Sequence, residues 1–148
     1  MGDASILPVP PSSSHWSPPP MGIVKCNVNA SFSLSNQVGG GGAVFRNSQG
    51  QILQSVCYDQ VWFECDSLLV VQAINGVDGG SVEIHALSFD VQVLLEQFSF
   101  SCLSHVRQHS NEVAHALAKL SRPHITSDIA LVHTPGDILD LAAKDYLC

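Results

Sequence analysis

The run "MGIVKCNVNASF", residues 21 to 32, constrains the fold more than any other stretch. Its side chains alternate: Ile23, Lys25, Asn27 and Asn29 on one side, Val24, Cys26, Val28 and Ala30 on the other. A period of two with one polar and one apolar side is the pattern of a half-buried strand. Such a strand needs neighbours for its backbone groups and a cover for its apolar side. The chain has 148 residues and is 45% hydrophobic, enough for one domain with a real core.

The neighbours can be found downstream. "SLSNQVGG" is turn material. "GGAVFRNSQGQILQSVC" reads as a hairpin, with strands near 41 to 46 and 51 to 57 around a turn at Asn47-Ser48-Gln49-Gly50. "VWFEC", 61 to 65, is a short apolar strand, and "FSFSCLSHV" alternates as another. Between them lie two helices. "SLLVVQAING" has Ser67 as its N-cap and Gly76 as its stop. The second, about 82 to 97, places Ile84, Leu87, Val91, Leu94, Leu95 and Phe98 at helical spacing. "SNEVAHALAKLS" is a third helix, with Ser110 as N-cap, Glu112 in the first turn, and Val113, Leu117 and Leu120 on one face. The order gives a mixed α/β domain with an antiparallel meander on one side. Six of the eight prolines lie in residues 1 to 20. The chain therefore divides into a flexible leader over 1–20, a domain over 21–122 and a C-terminal extension over 123–148.

Charge narrows the function classes. There are 13 acidic and 6 basic side chains, a formal net charge of −7, and the bases are scattered. A phosphate backbone is normally met by clustered Lys and Arg, so tight sequence-independent binding to nucleic acid is not expected. Five cysteines without CxxC spacing read as reduced thiols of an intracellular protein, nuclear or cytoplasmic and not secreted. No apolar run reaches the roughly 18 residues that span a bilayer, so no membrane partner is expected. "GGGG" at 39 to 42 is followed by no Lys-Ser or Lys-Thr and reads as a flexible hairpin connection, not a phosphate loop. "NEVAH" lacks the HExxH zinc pattern.

Four stretches taken in order carry a family resemblance: "WSPPPMGIVKCNVNASF", "GGGGAVFRNSQGQIL", "ECDS" and "HVRQHSNEVAHALAKL". They resemble the ribonuclease H-like domain of plant retroelement-derived reverse-transcriptase proteins. The resemblance runs from about Trp16 to Leu141 and takes in the tail "TPGDILDLAAKD". It implies a ribonuclease H-like mixed sheet, antiparallel meander plus parallel strands, with helices. It also implies Mg²⁺-dependent cleavage of RNA in RNA–DNA hybrids by two ions held on four carboxylates. Two ions about 3.5–4 Å apart clamp the attacking and leaving oxygens, and Mg²⁺ prefers anionic oxygen ligands.

Carried onto this chain, the four positions fare unevenly. The first falls on Asn29, an amide without charge. The second belongs to a helix between the third and fourth strands that is missing here. The third falls on Asp66, the one family carboxylate retained and the candidate metal contact. The fourth falls on His115, and imidazole suits Zn or Mn-like metals better than Mg²⁺. His109, in the loop before the last helix, is the candidate proton shuttle. Arg46, Arg107 and Asn111 are the candidate nucleic-acid contacts. No cofactor is expected on this chain.

The missing helix also strains the topology. After Cys57 only "YDQ" precedes "VWFEC". Three strand spacings of roughly 4.8 Å are about 14 Å, and three residues reach at most about 10 Å. Either the third strand shortens and its end becomes the crossover, or "QSVCYDQVWF" folds as a hairpin; the first is favoured. One sheet face then loses its cover, and Val24, Val28, Val44 or neighbours are expected to face water. A bare face of several hundred Å² at roughly 25 cal/mol per Å² forfeits on the order of 10 kcal/mol, which points to marginal stability, self-association or a protein partner. Three functional readings result. The chain is an inactive ribonuclease H-like domain with at most weak binding to RNA–DNA hybrid or other nucleic acid. Alternatively it is a protein-interaction module using the uncovered sheet face, or an active hybrid ribonuclease.

Overall fold

The computed structural model describes residues 15–35, 37–53, 58–77, 82–121 and 142. The alternating run is strand β1, Val24–Ser33, at the interior of a four-stranded sheet. β2, Val38–Arg46, pairs with it antiparallel, from Lys25 opposite Arg46 to Ser33 opposite Val38. β3, Gln60–Cys65, lies parallel on the other side of β1, and β4, Phe100–His105, lies parallel to β3. The sheet order is β2-β1-β3-β4. Helices α1, Leu68–Ile74, and α2, Val82–Leu95, link β3 to β4. A single 3-10 turn, Gln108–Ser110, leads into α3, Glu112–Ser121. The mixed sheet with its antiparallel and parallel pairs and three helices is the expected architecture.

The local signals explain the helix ends. Ser67 caps α1 by accepting a bond from the Val70 N–H. Its other end is a Schellman stop: the Gly76 N–H bonds the Ala73 carbonyl and the Val77 N–H the Gln72 carbonyl, with Gly76 at φ +80°. Asp59 accepts from both the backbone N–H and the hydroxyl of Ser99 and so ties the start of β3 to the start of β4. Those bonds hold the Asp59 carboxyl below its ordinary value.

The third meander strand is expected near 51 to 57. Within the described residues it survives as one bridge, Arg46 to Ile52, and a bond from the Leu53 N–H to the Phe45 carbonyl; residues 54–57 lie outside them. β2 runs antiparallel to β1, so it ends where β3 begins, with Arg46 and Trp62 both paired to Lys25.

Four expectations need correction. The glycine run 39–42 is no connection but the first half of β2, because β1 extends to Ser33 and the turn falls at 34–37. Residues 15–20 of the leader are docked: Trp16 is 4% exposed and packs on the sheet. Val44 does not face water; it is buried with Val113, Ala114 and Ala142 under α3. The polar side of β1 is buried as well, with Lys25 at 1% and Asn27 at 0% exposure. Ala142 is the only described residue of the C-terminal extension. Cys57, Cys148 and the rest of the tail lie outside the described residues.

Candidate active site

The site is assembled where the ends of β1 and β3 meet the start of α3. Lys25, Asn27 and Asn29 project from one face of β1, Trp62 and Glu64 from the same face of β3, and Val44 and Arg46 from β2. α3 crosses this face over β2 and β1. Gly42, opposite Asn29 in the register, makes the crossing possible. A Cβ at Gly42 would stand 2.6 Å from the Ala114 carbonyl oxygen and 2.7 Å from the Ala118 nitrogen. Those are backbone atoms of α3 and cannot swing aside. The close approach brings His115 to Asn29, with Asn29 Nδ2 2.8 Å from His115 Nδ1. With the amide nitrogen as donor, the ring proton of His115 sits on Nε2.

Behind this pair lies a buried polar network centred on Asn27. Its Oδ1 accepts from the Trp16 indole at 3.0 Å and from Arg46 Nη2 at 3.4 Å. Its Nδ2 donates to Glu64 Oε2 at 2.9 Å and to Asn111 Oδ1 at 3.1 Å. Glu64 Oε1 pairs with Lys25 Nζ at 2.8 Å. Lys25 in turn donates to the Ser17 carbonyl at 2.6 Å and lies 4.9 Å from the Trp62 ring centroid. The Arg46 guanidinium stacks 3.8 Å over the Trp16 ring. Buried charges persist only when paired and hydrogen-bonded; Lys25 and Glu64 meet both conditions, and the Arg46 guanidinium is held by Asn27 Oδ1 and the Trp16 ring. Asn111 Nδ2 also donates to the Val28 carbonyl, so the residue before α3 is bonded to β1 and fixes the start of the helix that carries His115.

The sequence-derived candidates separate into three groups. Asn29 and His115 are brought into contact. Asp66 follows β3 directly; because Val28 pairs with Cys65, Asn29 and Asp66 each stand one residue beyond the last pair. Arg46 and Asn111 are withdrawn from solvent at 0% and 1% exposure, so neither presents a surface to nucleic acid; both serve the Asn27 network. His109 and Arg107 are on the surface, and His109 Nδ1 lies 3.5 Å from Glu112 Oε1 on an exposed turn. Sequence reasoning missed Trp16, Lys25, Asn27 and Glu64. The available signal was a tryptophan inside a Pro/Ser-rich leader, since a large aromatic side chain there has reason to bury.

The donor set can be tested against the two-metal chemistry. Among the described residues no group of three or more His, Cys, Asp or Glu side chains converges. At the three positions present, one is an amide already donating to an imidazole, one is that imidazole, and one is a carboxylate. Mg²⁺ calls for several hard anionic oxygens, so this set does not fit it. Nor do the described thiols supply nucleophiles: burial pushes Cys26 up to about 12 and Cys102 up to about 11, and raises Cys65 as well.

Residues 54–121 match the family model described as "Reverse transcriptase-like". No curated protein matches the chain. Among solved structures, ribonuclease H1 of Halobacterium salinarum is similar at 18% identity and a TM-score of 0.58, over 66% of this chain and 95% of that one. The N-terminal ribonuclease H domain of a Mycobacterium tuberculosis protein is similar at 18% identity and 0.58, over 68% and 98%. LC11-RNase H1 in complex with RNA/DNA hybrid is similar at 13% identity and 0.57, over 68% and 96%. At these identities the likeness is one of fold. Among the described residues no helix is long and apolar enough to cross a membrane.

Proposed function

We propose that this chain, a ribonuclease H fold carrying a reverse transcriptase-like segment, is a catalytically silent ribonuclease H-type domain of retroelement descent. The observation that carries the reading is the Asn29–His115 hydrogen bond, 2.8 Å long, at two positions where the resemblance implies carboxylates. Two amide or imidazole groups bonded to each other give a pair of Mg²⁺ ions no anionic charge. Asp66 alone remains, and one carboxylate does not bridge two metals. The scaffold around the site is kept intact by the Asn27 network, so the loss is of ligand charge and not of fold.

Binding to nucleic acid is weak in this reading. LC11-RNase H1 was solved with an RNA/DNA hybrid, and the shared fold supports a hybrid as the nucleic-acid partner here. Against strong binding stand the cations. Lys25 and Arg46 are buried, which leaves Arg107 and Lys119 as the exposed Lys and Arg side chains among the described residues. Few phosphate contacts mean low affinity and a shallow salt dependence.

Hybrid cleavage by the purified chain, with Mg²⁺ and then Mn²⁺, tests the reading. No cleavage above a mock purification is expected. Cleavage that disappears in Asp66→Ala would overturn it. Calorimetry adds a second readout. Asn29→Asp alone should not create Mg²⁺ binding, whereas Asn29→Asp with a family-like helix inserted after Tyr58 should.

A further inference from the structure

We propose that the segment Trp16–Pro20 is a latch: docking of the Trp16 indole locks the start of α3, and with it the contact of His115 with Asn29, so that release of the indole loosens that corner of the site. The proposal does not depend on catalytic silence, since it concerns how the pair is held and not what it does. The segment joins β1 through a turn over residues 20–23. There the Ile23 N–H bonds the Pro20 carbonyl at 3.1 Å, and Gly22 has φ +85°. A positive φ at the third position marks a type II turn, which glycine adopts without steric cost. A Cβ at Gly22 would meet nothing within 4 Å, and Met21 is 90% exposed, so the turn packs on nothing. What holds the segment down lies on its other side: buried Trp16 and Pro19, and the Ser17 carbonyl, which accepts from Lys25 Nζ at 2.6 Å.

The indole acts through one amide. Its N–H donates to Asn27 Oδ1 at 3.0 Å, whereas the second donor to that oxygen, Arg46 Nη2, stands at 3.4 Å, longer than a well-made bond. The indole therefore fixes which way the Asn27 amide faces. With Oδ1 turned to Trp16, Nδ2 reaches Glu64 Oε2 and Asn111 Oδ1 at 2.9 and 3.1 Å. Both donor and both acceptor positions of the amide are then filled, at 0% exposure. Turned over, the amide would set N–H against N–H at Trp16 and oxygen against the Glu64 carboxylate. Asn111 passes the constraint on. Its Nδ2 donates to the Val28 carbonyl at 2.9 Å, and its own carbonyl accepts from the His115 N–H at 3.0 Å. Two side-chain amides thus connect the segment ahead of β1 to the helical turn that presents His115 to Asn29. Trp16 is a positioning residue for that contact.

The test uses the full chain and Trp16→Phe, which keeps an aromatic ring over the Arg46 guanidinium and removes only the donor. Hydrogen–deuterium exchange of the His115 amide should rise at least about tenfold, while amides of β3 and β4 change less than about twofold. The His115 imidazole resonances should shift as the contact with Asn29 loosens. Coupling is reciprocal, so Asn111→Ala should speed exchange of the Trp16 indole N–H by about the same factor. Ser99→Ala, which breaks the tie between the starts of β3 and β4, should move neither probe by more than about twofold. Unchanged His115 exchange in Trp16→Phe would overturn the proposal. So would equal acceleration across α3, β3 and β4, which would reduce Trp16 to a contributor to global stability. An indole N–H as slow in Asn111→Ala as in wild type would overturn it too. Where Asn111→Ala does not fold, the comparison of Trp16→Phe with Ser99→Ala decides alone.

Discussion

The polar face of β1 and the apolar side chains of α2 have exchanged the places their compositions suggest. On the first, Lys25, Asn27 and Arg46 are at or below 1% exposure, while on the second Leu87 and Phe89 are about two-thirds exposed. The difference lies in what covers each. The β1 face has α3 pressed on it through Gly42, Trp16 laid over Arg46, and a partner for each polar group named in the Asn27 network. Among the described residues α2 packs on α1 and leaves Leu87, Phe89 and Leu94 exposed. Burial is set by the availability of a cover and of partners, and hydrophobicity alone decides neither. The ionic core is held by β1, β2, β3, the segment around Trp16 and the start of α3, whose side chains bond one another across the sheet.

The sharpest way to break this comparison is to remove one ion of the buried pair. Lys25→Ala leaves Glu64 buried without its cation, and breaking a buried pair in this way costs about 3–5 kcal/mol. Urea denaturation should show the loss. A change below 1 kcal/mol would mean the polar face is wet. Gly42→Ala should be the next largest. Its Cβ meets α3 backbone atoms at 2.6–2.7 Å, and overpacking of this kind costs about 1–3 kcal/mol. The same substitution should push His115 away from Asn29, seen as a changed imidazole chemical shift.

At the other pole, Leu87→Gln should alter stability by less than about 0.5 kcal/mol, the usual range for a surface change. A loss above 2 kcal/mol would show that α2 is covered in solution. Smallest is Ser99→Ala. The folded Asp59 carboxyl is held below 3.8 by its bonds to Ser99. A depressed carboxylate contributes stability above its unfolded value, and the contribution fades as pH falls through the folded one. The gap between wild type and Ser99→Ala should therefore be present at pH 7 and close below about pH 4. A gap that persists unchanged at pH 2 would assign the effect to packing.

Element types and order were legible because each depends on local chemistry: the alternation in 23–30, Ser67 before α1, Gly76 after it. The contact of Asn29 with His115 could be expected only through the family resemblance, since nothing local joins residues 86 apart. What could not be read was the burial of the polar face. Lys25 and Arg46 look like surface cations until Glu64, Asn27 and Trp16, each distant in sequence, are seen to close on them. The glycine run misled for a related reason. Glycine marks both loops and close approaches, and only the position of α3 shows that Gly42 is the second. The apolar spacing of 82–97 predicted a helix correctly but not its cover, since Ile84, Leu87 and Leu94 stay 44%, 66% and 58% exposed.

Hydrogen–deuterium exchange compares the two regions in one measurement. Amides of β1 and β3, bonded on both sides under a satisfied network, should exchange only through global unfolding, and those of α2, with few buried contacts, at least about 100-fold faster through local opening. Protection in α2 equal to or greater than that in β1 would contradict the account.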